Sequence, residues 1–279
     1  MKAFRWLLLA AGTAGAIVLF LYLSLFLVPD REFKELAARL LEREGYSLRA
    51  SRFGMALPLG FKAADLEISS DSGPLLKARR ASVRLRLLPL LAGKVTFGYR
   101  VDIGTGYVEG DFSPRKGEIR TEARGIRLEE IPFFQTVAGA RVRGDLRLTG
   151  SFTGSGKAPG GELRLEIKGA NISGVKIGEI PLPDADYTTI QGMVRRKGGA
   201  IVLDSFTLQG EGLYVRLKGD FPLASPPGSA PLNLTLELMP KPEFLDKQKF
   251  VFLLLAKYLV SPGNYQIPIK GTLAKPLIQ

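Results

Sequence analysis

Two carboxylate pairs and two glycine-rich runs are the residues of this chain whose types and spacing could do chemistry. Asp184 and Asp186, following Pro181 and Pro183, could offer oxygens to a hard cation. No third ligand lies near them in sequence, so the spacing reads as a turn. Glu129 and Glu130 adjoin each other shortly before Pro132 and read as solvated loop positions or the start of a helix. The run Gly104-Thr105-Gly106-Tyr107-Val108-Glu109 has two glycines of a dinucleotide fingerprint and lacks the third. It sits between strand-like stretches, where a hairpin turn accounts for it. Gly154-Ser155-Gly156-Lys157 resembles the end of a P-loop, but Ser151 stands where the first glycine belongs and Ala158 where the hydroxyl belongs. No nucleophile elbow and no acid–base pair occurs at a useful spacing.

The chain has no cysteine and no histidine. A disulfide framework, a thiol nucleophile and a cysteine-ligated zinc site are excluded. The commonest general base and the commonest metal ligand are also missing. We therefore expect a non-enzymatic protein without cofactor or metal. Formal net charge is +12. The basic residues are scattered singly along strand-like runs rather than gathered in a tract, which fits an anionic membrane surface better than nucleic acid.

The elements that would carry any function begin with a membrane segment. Residues 6–28 are apolar and without charge. As an α-helix they would cover roughly 34 Å, enough for a bilayer's hydrocarbon core. Ala14-Gly15-Ala16 looks like a cleavage site, but the apolar run continues past it, which favours a retained signal anchor over a cleaved signal peptide. Lys2 and Arg5 precede the run and Asp30 follows it. This places the N-terminus in the cytoplasm and the rest in the periplasm. Phe33, Leu36, Ala37, Leu40 and Leu41 then recur at helical spacing, with Asp30 to cap and Gly45 to end an amphipathic helix over 30–45. The expected organisation is an anchor over 1–29 and a periplasmic β-rich domain over 30–279.

From Ser47 the period changes to two. Val83, Leu85 and Leu87 alternate with arginines; Leu163, Leu165 and Ile167 alternate with charged residues; Leu234, Leu236 and Leu238 alternate with polar ones. Glycines, 32 in all, punctuate these runs. The pattern predicts a mainly β fold: a long curled antiparallel sheet of about a dozen strands. An open gutter, a flattened barrel or a two-sheet sandwich would each bury its apolar face. Four segments, 146–150, 165–169, 215–219 and 267–271, repeat an apolar-x-apolar-Lys/Thr-Gly pattern, read as a strand that bends at the glycine and continues. Helical interruptions are expected at 132–139 and 243–260, the second largely buried as a plug or lid at one end. If the sheet is an open gutter, its candidate apolar groove is lined by Val83, Leu85, Leu87, Leu146, Leu148, Leu163, Leu165, Ile167, Leu234 and Leu236, and a phospholipid is the ligand such a face would take.

The order of segments 41–53 (LEREGYSLRASRF), 61–69 (FKAADLEIS), 75–103 (LLKARRASVRLRLLPLLAGKVTFGYRVDI) and 267–279 (IPIKGTLAKPLIQ) resembles the N component family of type II secretion systems, general secretion pathway protein N (GspN). It is also similar to the wider AsmA-like superfamily, through the Leu-Leu-Pro-Leu-Leu-x-Gly step at 87–93 and the closing Gly271, Thr272, Leu273, Pro276 and Ile278. The resemblance implies a non-enzymatic protein of the inner membrane with a periplasmic domain, an accessory or assembly part of the secretion machine whose partners are other secretion components. The AsmA-like relatives imply instead a lipid-binding or lipid-transfer role. The shared motifs are structural, so no binding residue is carried over from them.

Overall fold

A computed structural model describes residues 45–56, 59–154, 159–177 and 180–279, together with Glu35, Ala38, Arg39, Leu41 and Glu42. The anchor expected over 6–28 and most of helix 30–45 lie outside the described residues. The five described positions of that helix are helical, with Arg39 paired to Glu35 one turn away at 3.6 Å. Among the described residues no helix is long and apolar enough to cross a membrane.

From Ser47 onward the period-two pattern becomes strands. They are β1 (Ser47–Arg49), β2 (Arg52–Ala56), β3 (Gly60–Ser70), β4 (Gly73–Leu85), β5 (Phe97–Ile103), β6 (Gly106–Ser113), β7 (Glu118–Arg127), β8 (Arg141–Thr153), β9 (Gly160–Ser173), β10 (Lys176–Ile177), β11 (Ile180–Pro181), β12 (Ala185–Lys197), β13 (Ala200–Gly210), β14 (Leu213–Pro222), β15 (Asn233–Pro240), β16 (Leu259–Ser261), β17 (Asn264–Gly271) and β18 (Pro276–Ile278). Sixteen of them form one antiparallel sheet in the order β1-β3-β4-β5-β6-β7-β8-β9-β12-β13-β14-β15-β17-β16, with β2 beside β3 and β18 beside β17. β10 and β11 make a separate two-stranded ribbon. The first and last strands do not pair, so the sheet is open and the flattened-barrel alternative falls away.

A meander puts successive connections at alternate ends. At one end the linking segments carry five short helical pieces. Between β7 and β8 the chain makes a 3-10 turn (Leu128–Glu130) and a helix (Phe133–Ala138) ended by Gly139 at φ 61°. That helix lies against both β8 and β4, and Thr136 Oγ1 donates to the Pro74 carbonyl at 2.6 Å. It therefore reaches across the ends of β5 to β7. Between β15 and β16 the expected helical stretch 243–260 is broken. Helices Pro242–Lys247 and Lys249–Leu254 meet at Gln248 (φ −117°, ψ 32°), and a 3-10 turn Ala256–Tyr258 leads into β16. The stretch is also only half buried. Phe252, Leu255 and Tyr258 face inward, whereas Phe250, Leu253 and Leu254 are exposed. At the opposite end a helix of five residues, Leu87–Leu91, buries none of its side chains.

These pieces divide the apolar face of the sheet into two halves. Across β8 to β18 a large core forms around Leu213, Leu238, Leu255 and Ile267. It is closed from above by Phe244, Val251, Phe252 and Leu255, and by Ile180 in the ribbon and Leu182 just after it; the ribbon reaches over to β18. Each such buried aliphatic side chain contributes roughly 1.5–3 kcal/mol. Across β3 to β8 the buried cluster is small and rich in alanine: Ala78, Ile103, Ala123 and Ile126.

Candidate functional site: an uncovered apolar strip and a charged face

Cross-strand register gathers the groove residues into rows. Leu146 faces Ile167, which faces Ile190. Leu148 faces Leu165, which faces Gly192. Leu163 faces Gly150 on one side and Val194 on the other. Farther along, Leu234 and Leu236 face Ile269 and Ile267. On the other flank Val83 faces Tyr99, and Leu85 faces Phe97. Nine of the ten candidate residues thus fall on strands in these rows. Leu87 does not: β4 ends at Leu85, and Leu87 opens the short exposed helix at the sheet's end.

The nine are not equally accessible. Ile167, Leu234 and Leu236 are buried in the covered core. Leu146, Leu148, Leu163 and Leu165 are half-buried, as is Leu85, and Val83 is exposed. The uncovered strip runs instead through residues that periodicity did not single out. Phe97 pairs with Phe112, Phe112 with Ile119, and Ile119 with Phe152. Phe112 and Ile119 are exposed. The sequence holds a signal for this row in large residues set across from glycines. A side chain at Gly161 would lie 2.6 Å from the Phe152 ring, and in the Leu148–Leu165 row one at Gly192 would lie 2.5 Å from that of Phe206. Register is needed to see it.

The opposite face is a lattice of charges. Arg100 donates to Asp102 and to Glu109, both at 3.0 Å, and lies 3.9 Å above the Tyr107 ring. The hydrogen bond to Asp102, with further support from Glu109, holds the Arg100 guanidinium above its ordinary pKa. Glu122 does the same for Arg124. A hollow of about 870 Å³ opens on this face between β4 and β9. Its four carboxylates are each tied to a guanidinium: Asp111 to Arg86 at 2.9 Å, Glu109 to Arg100 at 3.0 Å, Glu162 to Arg164 at 3.0 Å, and Glu122 to Arg124. A carboxylate held in an ion pair is a poor general base, and Arg84 and Arg120 in the same lining leave the hollow with an excess of positive charge.

The motifs weighed for chemistry resolve into turns and caps. Gly104 and Thr105 form the two-residue turn between β5 and β6, with Gly104 at φ 52°. Glu130 accepts from the Thr105 amide at 3.0 Å and Glu129 from the Gly144 amide at 3.3 Å. Asp184 lies in a loop and accepts from the Gly174 amide at 2.8 Å. Asp186 departs from the expected turn, lying in β12, where Asn171 donates to it at 2.7 Å. Among the described residues no three acidic side chains are grouped to hold a metal ion. Ser155, Gly156, Lys157 and Ala158 lie outside the described residues. No family model, curated protein or solved structure matches the chain.

Proposed function

We propose that the protein is a non-enzymatic envelope component, anchored in the inner membrane through residues 6–28, whose periplasmic sheet shelters acyl chains along its uncovered apolar strip. One observation carries this reading. The apolar rows that are roofed over across β8 to β18 continue without a roof across β4 to β8, leaving Val83, Phe112 and Ile119 in solvent. Burying an acyl chain there would gain about 0.8 kcal/mol per methylene, without any polar contact. The charged opposite face would remain in water.

A photoreactive amino acid at Phe112 or Ile119 of the full chain in cells tests the reading. Irradiation should yield adducts of lipid mass at both positions and none at Leu236 in the roofed core. Adducts absent from both strip positions would overturn it.

A second reading rests on the Leu87–Leu91 step, which lies within the segment 75–103 that resembles the secretion N component. This helix is solvent-facing and all apolar, as a contact for another secretion component would be. Under that reading, deleting the gene impairs export of secreted enzymes. Normal secretion together with a leaky outer membrane would favour the lipid role.

A further inference from the structure

The outward face of the lid over the roofed core is apolar and unpartnered. Phe250, Leu253 and Leu254 stand at helical spacing on helix Lys249–Leu254, and the first two are 71% and 70% exposed. Val260 in the adjoining edge strand β16 is 64% exposed, and Leu259 beside it is also exposed. Aliphatic and aromatic side chains in this number are costly to leave in water. Lys247, Lys249 and Lys257 surround them. Asp246 pairs with Lys249 at 3.7 Å, which leaves Lys247 and Lys257 against Glu243. The rim is therefore net positive.

Position in the fold selects the occupant. Ser47 pairs with Ser69 at the end of β3 that leads into the β3–β4 turn, the same strand end from which β15 leaves the sheet into the lid, while β3 and β15 lie toward opposite edges of the sheet. Only residues 29–46 separate that point from the apolar run at 6–28. We infer that the outward face of the lid is a docking surface for the anionic lipid headgroups and upper acyl region of the bilayer that holds residues 6–28. This rests on the anchoring in the proposed function. The aromatic and leucine side chains would enter the interface while the lysines meet lipid phosphates. The lid would then be pressed onto the core from outside, and the far end of the sheet, with Leu88, would point away from that membrane. β8 alone, at about 3.3 Å per residue, separates the two ends by roughly 40 Å.

The absence of cysteine makes the test direct. Leu253→Cys, Val260→Cys and, at the far end, Leu88→Cys are made singly in the full chain. Each is labelled with an environment-sensitive dye and reconstituted into phosphatidylglycerol–phosphatidylcholine vesicles. A spin-labelled lipid should quench the dye at 253 and 260 several-fold more than at 88, and iodide should show the reverse order. The contrast should shrink in vesicles of phosphatidylcholine alone. Iodide reaching 253 and 260 as freely as 88 would overturn the inference. So would shielding from both quenchers, which would mean that residues 30–44 or a second copy cover the face. Flotation with the vesicles is scored separately: a chain that does not float fails the anchoring reading itself.

Discussion

Arg86 Nε donates to Asp111 Oδ1 at 2.9 Å by passing over Gly98, whose register partners are Arg84 and Asp111. A Cβ at position 98 would stand 2.6 Å from that nitrogen. The glycine is thus a gap through which two strands' charges meet. Gly98→Ala should push the flexible arginine aside and lose only the exposed pair, at most about 1 kcal/mol. At Gly110, by contrast, the added carbon would collide with the Arg120 carbonyl, which is backbone and cannot step away. Gly110→Ala should cost about 1–3 kcal/mol. Chemical denaturation of the detergent-solubilised full chain compares them, and equal costs would refute the argument.

The two halves of the apolar face should answer truncation differently. Leu255 and Ile267 are fully buried under and within the roofed core. Leu255→Ala and Ile267→Ala should each cost about 2–5 kcal/mol, because a cavity opens where nothing can collapse. Val83→Ala, at an exposed position of the strip, should stay within about 0.5 kcal/mol. Midpoints of thermal unfolding would rank the three.

Glu237 is the only buried charged residue among those described, and Lys218 on the neighbouring strand donates to it. Lys218→Met should destabilise the fold by about 1–3 kcal/mol by leaving the carboxylate with a lost charge-assisted bond. Adding Glu237→Leu to that variant should recover most of the loss, since an apolar pair there leaves no charge behind. A double-mutant cycle in denaturant measures the coupling, and additive losses would contradict it.

Burial pushes the Tyr187 hydroxyl well above its ordinary value. A raised folded-state pKa means that the folded protein keeps its proton when the unfolded chain, near 10, releases it. This contribution to stability is therefore complete below about pH 10 and declines as pH climbs beyond it. Tyr187→Phe should flatten that decline. Absorbance titration at alkaline pH should show a late-ionising phenol in the parent that Tyr187→Phe lacks.

Much of the sheet was legible because alternation is local. Leu234, Leu236 and Leu238 name a strand and its inner face with no knowledge of neighbours. The glycine repeat was legible in part. Gly169, Gly219 and Gly271 take positive φ at bends, as read from the pattern, whereas Gly150 lies straight within β8 and makes room for Leu163 across the strand. The unequal cover of the face was not legible. It depends on where the 132–139 and 243–260 segments fold back, which is set by long-range contacts such as Gln248 to the Asp184 carbonyl at 2.5 Å. For the same reason Leu236 and Val83 look alike in sequence, yet one is core and the other surface. The break at Gln248 carried no proline or glycine to announce it.

From β3 to β15 the order of strands in space follows their order in the chain, with only the β10–β11 ribbon stepping aside; at the edges β1 and β2 both pair with β3, and β17 comes between β15 and β16. Each new hairpin needs only the strand made just before it, so loop closure is short at almost every step. Such a sheet can assemble as it emerges, from its first strand to its last. The exception is the seal between the ribbon and β18, which joins segments at opposite ends of the roofed half. That roof must wait for the final residues, so the apolar face stays open throughout synthesis and closes, where it closes at all, last.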